Sequence, residues 1–390
     1  MNLPSAQRLL LALLGALLLF VPALAAAAGV RVQPIENRPL AAPPEIGRGW
    51  DAVDDVVPFA NDHLALRDRA IRLDTWVDEQ VFGDNPASGQ AAGPKVLVGD
   101  DGWLFLAEDL TRACRPVETI DTALAHVDAL HDVLARHGKR LIFLIAPDKT
   151  TFMDDRLRSI PGLPCARRFK ADLWRRLATR PPRGFVDLRR PLEAESSETG
   201  ESMYHRTDTH WNDRAAVVAT REVVEVIDPE LWTSSTVAPL ADISRTGDLA
   251  RMLGMRSHEQ APHLEVRRDV TRTVRMIRES KIPDAPEAFD VTNEARPNTP
   301  LVPGTAVFLY DSFGAVLYPF LSTYFASIEG ANHLLMSPAV TAERVAHGDT
   351  VIYEVVERHL IDQLGDSDYW RQVFTGLERR LGVAGTVGGP

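Results

Sequence analysis

The sequence predicts a three-layer α/β sandwich around a mostly parallel sheet, and three observations lead there. Continuous apolar runs bounded by charged or turn residues recur along the chain, Arg140–Ala146 being the clearest, and strands buried on both faces read this way. Amphipathic helical stretches alternate with those runs, as layered α/β proteins require. At 45% hydrophobic and 25% charged residues, the 390-residue chain is an ordinary globular protein, long enough for one large domain with insertions or two modest ones.

From the N-terminus, Met1–Arg8 is short and basic, Leu9–Leu19 is unbroken apolar sequence, and small residues follow around Ala23 and Ala25. This is the pattern of a secretory signal over residues 1–28, with cleavage after Ala25 or Ala27. Roughly 20 apolar residues also suffice to span a bilayer, so an uncleaved signal anchor is the alternative. Either way the remainder is expected outside the cytoplasm. Residues 29–50, with Pro34, Pro39, Pro43 and Pro44, read as an extended tether. A main domain is expected over 51–366, beginning with a helix at Asn61–Phe82 and a hairpin at Lys95–Leu106 around Asp101-Gly102. Thr119–Arg136 carries an apolar face at helical spacing. Further buried strands are expected at Gly184–Leu188, Thr305–Tyr310, His333–Met336 and Thr350–Val356. Helices are expected at Phe169–Thr179, Asp213–Ile227 and Ala315–Ile328. Residues 234–300 are weakly periodic and read as an insertion, a small lobe over one end of the sheet. Residues 367–390 read as a C-terminal helix capped by Ser367, followed by a disordered tail.

The formal charge of −11 argues against nucleic acid and anionic lipid as general partners. Arginines at 251, 256, 267, 268, 272, 275 and 278 either line a local groove for an anionic glycan or form a solvated face. The two cysteines, Cys114 and Cys165, predict a disulfide in an oxidising compartment, with two separate buried thiols as the alternative.

Two segments carry chemistry. In Tyr204-His-Arg-Thr-Asp208-Thr-His210-Trp-Asn212, the i, i+2 spacing puts Asp208 and His210 on one side of an extended loop. The carboxylate can then orient the imidazole as a base, and Asn212 suits the N-cap of the next helix. In Phe308-Leu-Tyr-Asp-Ser312-Phe-Gly314, a serine sits where a buried strand turns into a helix. Amides of the helix N-terminus can stabilise an oxyanion there. Serine needs a base to become a nucleophile, so the two segments make sense together. Alone, an Asp-x-His is more often a salt-bridged or capping pair, and a serine after a strand more often an N-cap. His205, Asp208 and His210 are also possible zinc ligands, but a further ligand at helical spacing is missing, so no metal is expected.

In these blocks the sequence resembles the SGNH-hydrolase-like family of periplasmic alginate O-acetyltransferases, the AlgJ and AlgX proteins. The matching pieces run in order: Phe59-Ala-Asn-Asp62 with Leu66-Arg67, Val96–Phe105, Pro147-Asp-Lys149, Thr207–Asn212, Gly247–Ala250, Asp311–Phe313 and Glu354–Arg358. The resemblance implies an SGNH-like α/β/α sandwich with permuted motif order, Asp-His before Ser. It makes Ser312 the acetyl-accepting nucleophile, His210 its base and Asp208 the residue that orients the base. Tyr318 matches a family tyrosine and would donate to the oxyanion beside the amide of Phe313; a packed helix-face aromatic is the alternative. Trp103 and the Glu357-Arg358 block read as structural. Tyr310 stands where the family commonly has glycine, and Phe152 or Met153 where a tyrosine is expected. The implied activity is O-acetyl transfer to hydroxyls of an alginate-like exopolysaccharide, without cofactor. A membrane-bound O-acyltransferase would supply acetyl, within a secretion complex in the periplasm. An esterase with the same triad and a non-catalytic glycan-binding subunit are the alternatives.

Overall fold

In the computed structural model the described residues are 95–384, apart from 158–161, 233–236, 256, 278–287 and 296–298, with isolated positions before residue 95. The signal segment, the tether and the Asn61–Phe82 helix therefore lie outside the described residues, as do Arg256, Arg278 and the tail. Among the described residues no helix is long and apolar enough to cross a membrane. The chain divides into two compact units, 1–96 with 248–257, and 97–247 with 258–390. The described part of the first is essentially the short helix Asp248–Met252. The second holds the main sheet and both of its cores.

The described strands are β1 (Val96–Val98), β2 (Leu104–Leu106), β3 (Arg140–Ala146), β4 (Phe185–Val186), β5 (Val237–Pro239), β6 (Ile243–Arg245), β7 (Glu259–Ala261), β8 (Leu264–Val266), β9 (Val270–Ile277), β10 (Ala288–Ala295), β11 (Val302–Tyr310), β12 (Phe325–Asn332) and β13 (Thr350–Val356). The main helices are α1 (Glu108–Cys114), α2 (Ile120–Arg136), α3 (Leu163–Thr179), α4 (Arg189–Thr199), α5 (Asp213–Ile227), α6 (Ser312–Leu321), α7 (Pro338–His347) and α8 (Ser367–Ala384). A seven-stranded sheet runs β4-β3-β13-β11-β12-β10-β9. The pairings from β4 to β12 are parallel, and β10 and β9 join antiparallel.

Alternation along each strand explains the three layers. Ile142, Leu144 and Ala146 of β3 and Ala306, Phe308 and Tyr310 of β11 enter one core with α5 and α6. Leu141, Phe143, Ile145, Val307 and Leu309 enter the other with α2, α3, α7 and α8. Both faces are covered, so the strands read as continuous apolar runs.

Four expectations need correction. The helix expected at Ala315–Ile328 runs as an α-helix only to Leu321, with Pro319 inside it, and tightens into a 3₁₀ turn at Ser322–Tyr324. The chain then forms β12, and the strand expected at His333–Met336 is instead a 3₁₀ turn, His333–Leu335, capped by Asn332. β12 was illegible because, apart from Phe325 and Ile328, its residues are small or polar. A Cβ on Gly330 would lie 2.1 Å from the Phe289 ring of β10, so that ring occupies the space a side chain would need. Part of the 234–300 insertion supplies β9 and β10 to the main sheet rather than a separate lobe. Finally, Asp366 and not Ser367 caps α8, accepting from the amides of Asp368 and Tyr369 at 3.0 Å each. Trp370, Val373, Leu377 and Leu381 of α8 are buried in the second core, so 367–384 belongs to the domain.

Cys114 of α1 and Cys165 of α3 form a disulfide with Cα atoms 5.5 Å apart. A cross-link over a separation of 51 residues is worth up to about 4 kcal/mol in the chain-entropy account.

Candidate active site

β11 delivers Asp311 and Ser312 to the carboxyl edge of the parallel strands, where α/β sheets place ligands. Asp311 caps α6: one carboxylate oxygen accepts from the Phe313 amide at 2.9 Å, the other from the Val356 amide at 2.7 Å. Beneath it, Oε2 of the buried Glu354 accepts from the amides of Asp311 at 3.0 Å and Gly314 at 3.1 Å. Burial first, and then the charge of Asp311, push the Glu354 carboxyl well above the usual range. A Cβ on Gly314 would lie 2.4 Å from Cβ of Tyr310 and 2.7 Å from Oε2 of Glu354. Only glycine fits this turn, and the turn leaves Ser312 exposed at the head of the helix.

The Asp208–His210 segment is a loop closed by an antiparallel bridge between Tyr204 and Trp211. Oδ1 of Asp208 accepts from the His210 amide at 3.0 Å and pairs with His210 Nδ1 at 2.7 Å. A carboxylate facing Nδ1 assigns the proton to that nitrogen and leaves Nε2 as the basic one. The fully buried Trp211 donates from Nε1 to the Phe313 carbonyl at 3.0 Å. The His210 ring lies 5.1 Å from that of Phe313, centroid to centroid. The loop is thus docked on the residue next to Ser312.

Two buried side chains hold the loop. Lys149 follows β3; its Nζ donates to the carbonyls of Leu104 and Asp208 at 2.6 Å each and lies 5.4 Å from both the Trp103 and Phe105 rings. The Gly-Trp-Leu-Phe, Pro-Asp-Lys and Asp-Thr-His-Trp blocks, far apart in sequence, therefore meet at one ammonium. Glu259 accepts from the amides of Arg206 at 2.7 Å and Thr207 at 3.2 Å. Glu357 and Arg358 lie in a buried network behind the site: Glu357 accepts from the Asp148 amide at 3.0 Å and Arg358 donates to Asp148 at 2.9 Å.

Sequence reasoning missed Arg245. It sits on β6, inside the insertion, and donates to Asp208 Oδ2 at 2.8 Å and to His205 Nε2 at 2.9 Å. Burial raises the Asp208 carboxyl, but the His210 hydrogen bond and charge and the Arg245 charge outweigh it and hold it well below the usual range. Burial, and then Arg245, depress His205 to about 3, so it is neutral. The Nε2 lone pair of His205 is thus directed at a guanidinium. Nothing in residue spacing marks Arg245; the weak periodicity of the insertion hides it.

One further expectation meets a different geometry. The Phe313 amide, expected to face the oxyanion, is taken up by Asp311. The Tyr318 ring stacks on that of Phe289 with centroids 4.2 Å apart.

Residues 96–294, just over half of the chain, match the family described as SGNH hydrolase-like domain, acetyltransferase AlgX. The chain belongs to this family. The match takes in Asp208, His210 and Arg245 and ends before Ser312. Among curated relatives, the probable alginate O-acetylase AlgJ of Pseudomonas putida is 27% identical over 164 residues, 41% of this chain and 40% of the relative. The same-named protein of Pseudomonas syringae pv. tomato is 27% identical over 133 residues, 33% and 32% of the two chains. The match thus spans well under half of these relatives. A solved structure of Bacillus cereus PatB1 with a sulfonyl adduct superposes with a TM-score of 0.50 at 14% identity, covering 70% of this chain and 99% of that one, which shows the shared fold. The family is one of acetyltransferases, and the fold is SGNH-hydrolase-like.

Proposed function

We propose that this protein is a Ser–His–Asp O-acetyltransferase that carries acetyl on Ser312 and passes it to a polysaccharide hydroxyl. The observation behind this reading is the docking of the Asp208–His210 pair on Phe313, beside the exposed serine at the head of α6. Ser312 Oγ attacks the donor's acyl carbonyl while His210 Nε2 takes its proton; collapse expels the donor's leaving group, which takes the proton back. A sugar hydroxyl then gives its proton to His210 and attacks the acetyl-serine, regenerating the enzyme. With the Phe313 amide committed to Asp311, the first-turn amide of Ser312 itself is the oxyanion donor we favour. Tyr318 takes no part in this scheme.

The alginate-acetylating relatives and the N-terminal signal pattern support a periplasmic setting and an exopolysaccharide acceptor. A membrane-bound O-acyltransferase is the donor that would suit an enzyme outside the cytoplasm. The exposure of Ser312 also favours a second reading, an esterase with water as acceptor. In the test, purified protein releases p-nitrophenol from p-nitrophenyl acetate, and Ser312→Ala or His210→Ala lowers the rate by at least about a thousandfold, since such residues act as a unit. Full activity in Ser312→Ala would end the triad assignment. Oligosaccharide that diverts product from acetate to acetylated sugar supports the transferase; acetate alone with every acceptor supports the esterase.

A further inference from the structure

Beside the catalytic loop lies an open cleft of about 310 Å³ that the chemistry above does not use. This is the lower end of the roughly 300–1,000 Å³ of small-molecule sites. Trp103, at the turn between β1 and β2, forms one wall, and His205 and Arg206 of the loop bearing Asp208 form another. Asp242 and Gln260, from the β6–β7 region of the insertion, complete the rim. Trp103 is half-buried, whereas Arg206, Asp242 and Gln260 are exposed. An indole lining the same cleft as an amide, a carboxylate and a guanidinium suits a pyranose, whose C–H face can pack on an aromatic ring while its hydroxyls reach polar groups.

Charge narrows the ligand. The cleft holds the carboxylates of Glu201, Asp242 and Glu259 against the guanidinia of Arg206 and Arg214. Arg214 faces Glu201 at 3.8 Å, and Glu259 is committed to the amides of Arg206 and Thr207. Arg206 and Asp242 remain and balance each other, in a chain of formal charge −11. There is no surplus positive charge to meet a polyuronate. One wall also leads to the base: His205 Nε2 accepts from the same Arg245 guanidinium that holds Asp208.

Resting on the acetyl-transfer reading, we propose that the cleft between Trp103 and the His205–Arg206 loop is the acceptor subsite, and that it takes an uncharged pyranose residue rather than a uronate. The test uses the full chain carrying Ser312→Ala, which binds acceptor without turnover. Saturation-transfer NMR and calorimetry compare neutral hexose tetramers, cellotetraose and mannotetraose, with a mannuronate tetramer. A neutral tetramer is expected to bind, with affinity falling about tenfold in Trp103→Ala and severalfold in Gln260→Ala and Asp242→Ala. If Trp103→Ala does not fold, the two exposed-site variants carry the test. Tighter binding of the mannuronate tetramer, no binding of any neutral tetramer, or binding indifferent to all these substitutions would overturn the proposal. Failure of the enzymatic reading shows separately, as p-nitrophenyl acetate turnover that does not depend on Ser312.

Discussion

At the residue scale the catalytic assignment turns on how one carboxylate is shared. Asp208 gives one oxygen to the main chain and ring of His210 and the other to Arg245. The guanidinium draws off part of the negative charge that would otherwise make His210 more basic. Replacing Arg245 with Gln should therefore shift the acid limb of the kcat/KM–pH profile to higher pH, with a loss of about tenfold or less at the optimum. Arg245→Lys, which keeps a cation near the carboxylate, should return the limb toward the wild-type position. Loss of activity with an unmoved limb would make Arg245 merely structural. His205 contributes no titration of its own between pH 5 and 8, because it is held neutral. The Asp-x-His spacing was readable in the sequence, since it is local. Arg245 was not, because it lies 37 residues away and only the fold closes that gap.

At the scale of elements, the ends of β3 and β13 and the helices α1 and α3 are tied by buried charge. Asp109 of α1, Asp148, Lys170 of α3, Glu357 and Arg358 share one buried cluster, with Lys170 Nζ 3.1 Å from Asp148 and Arg358 2.9 Å from it. Burial, followed by the neighbouring Asp148, pushes Asp109 up to about 7, against the lowering effect of Arg358 and Lys170. A carboxyl raised in the folded state keeps a proton that the unfolded chain has released, so its contribution is complete below about pH 4 and is lost as pH rises to about 7. The wild-type melting temperature should accordingly fall more steeply from pH 5 to 7.5 than that of Asp109→Asn, which has no charge to bury. Equal slopes in a pH series of calorimetric melts would refute this. The Cys114–Cys165 bridge fastens the same pair of helices. Its two cysteines were visible in the sequence, whereas the charge cluster was not, because its members come from separate places along the chain.

At the scale of the whole molecule, the C-terminal helix is a wall of the core and not an appendage. Trp370, Val373 and Leu377 are fully buried among residues of α2, α7 and β13. Burying a large apolar side chain contributes about 1.5–3 kcal/mol, so three such losses exceed the roughly 5–15 kcal/mol of net stability only at its lower end, and the exposed face adds an aggregation hazard. A chain ending at Gly365 should be insoluble or show no cooperative melt. A soluble truncated chain melting within a few degrees of wild type would show the helix to be dispensable.

What the sequence determined by itself was whatever rests on short-range periodicity. Buried strands flanked by helices announced the α/β class, because parallel strands are apolar on both faces. Asn212 announced a helix start, because capping is satisfied within a turn. The pairing of Asp208 with His210 needed only a loop. The tertiary structure decided the rest, because those outcomes depend on which distant atoms share a volume. β12 is a strand only because its neighbours accept it, with Gly330 making room for Phe289. Part of the insertion joined the sheet because β10 found an open edge on β12. The Phe313 amide, free in any reading of the chain, is occupied because Asp311 folds back onto it. Lys149 became the centre of the site because three unconnected segments turned their carbonyls or rings toward one buried ammonium. No pattern along the chain encodes that meeting point, since it exists only once the sheet has set the distances.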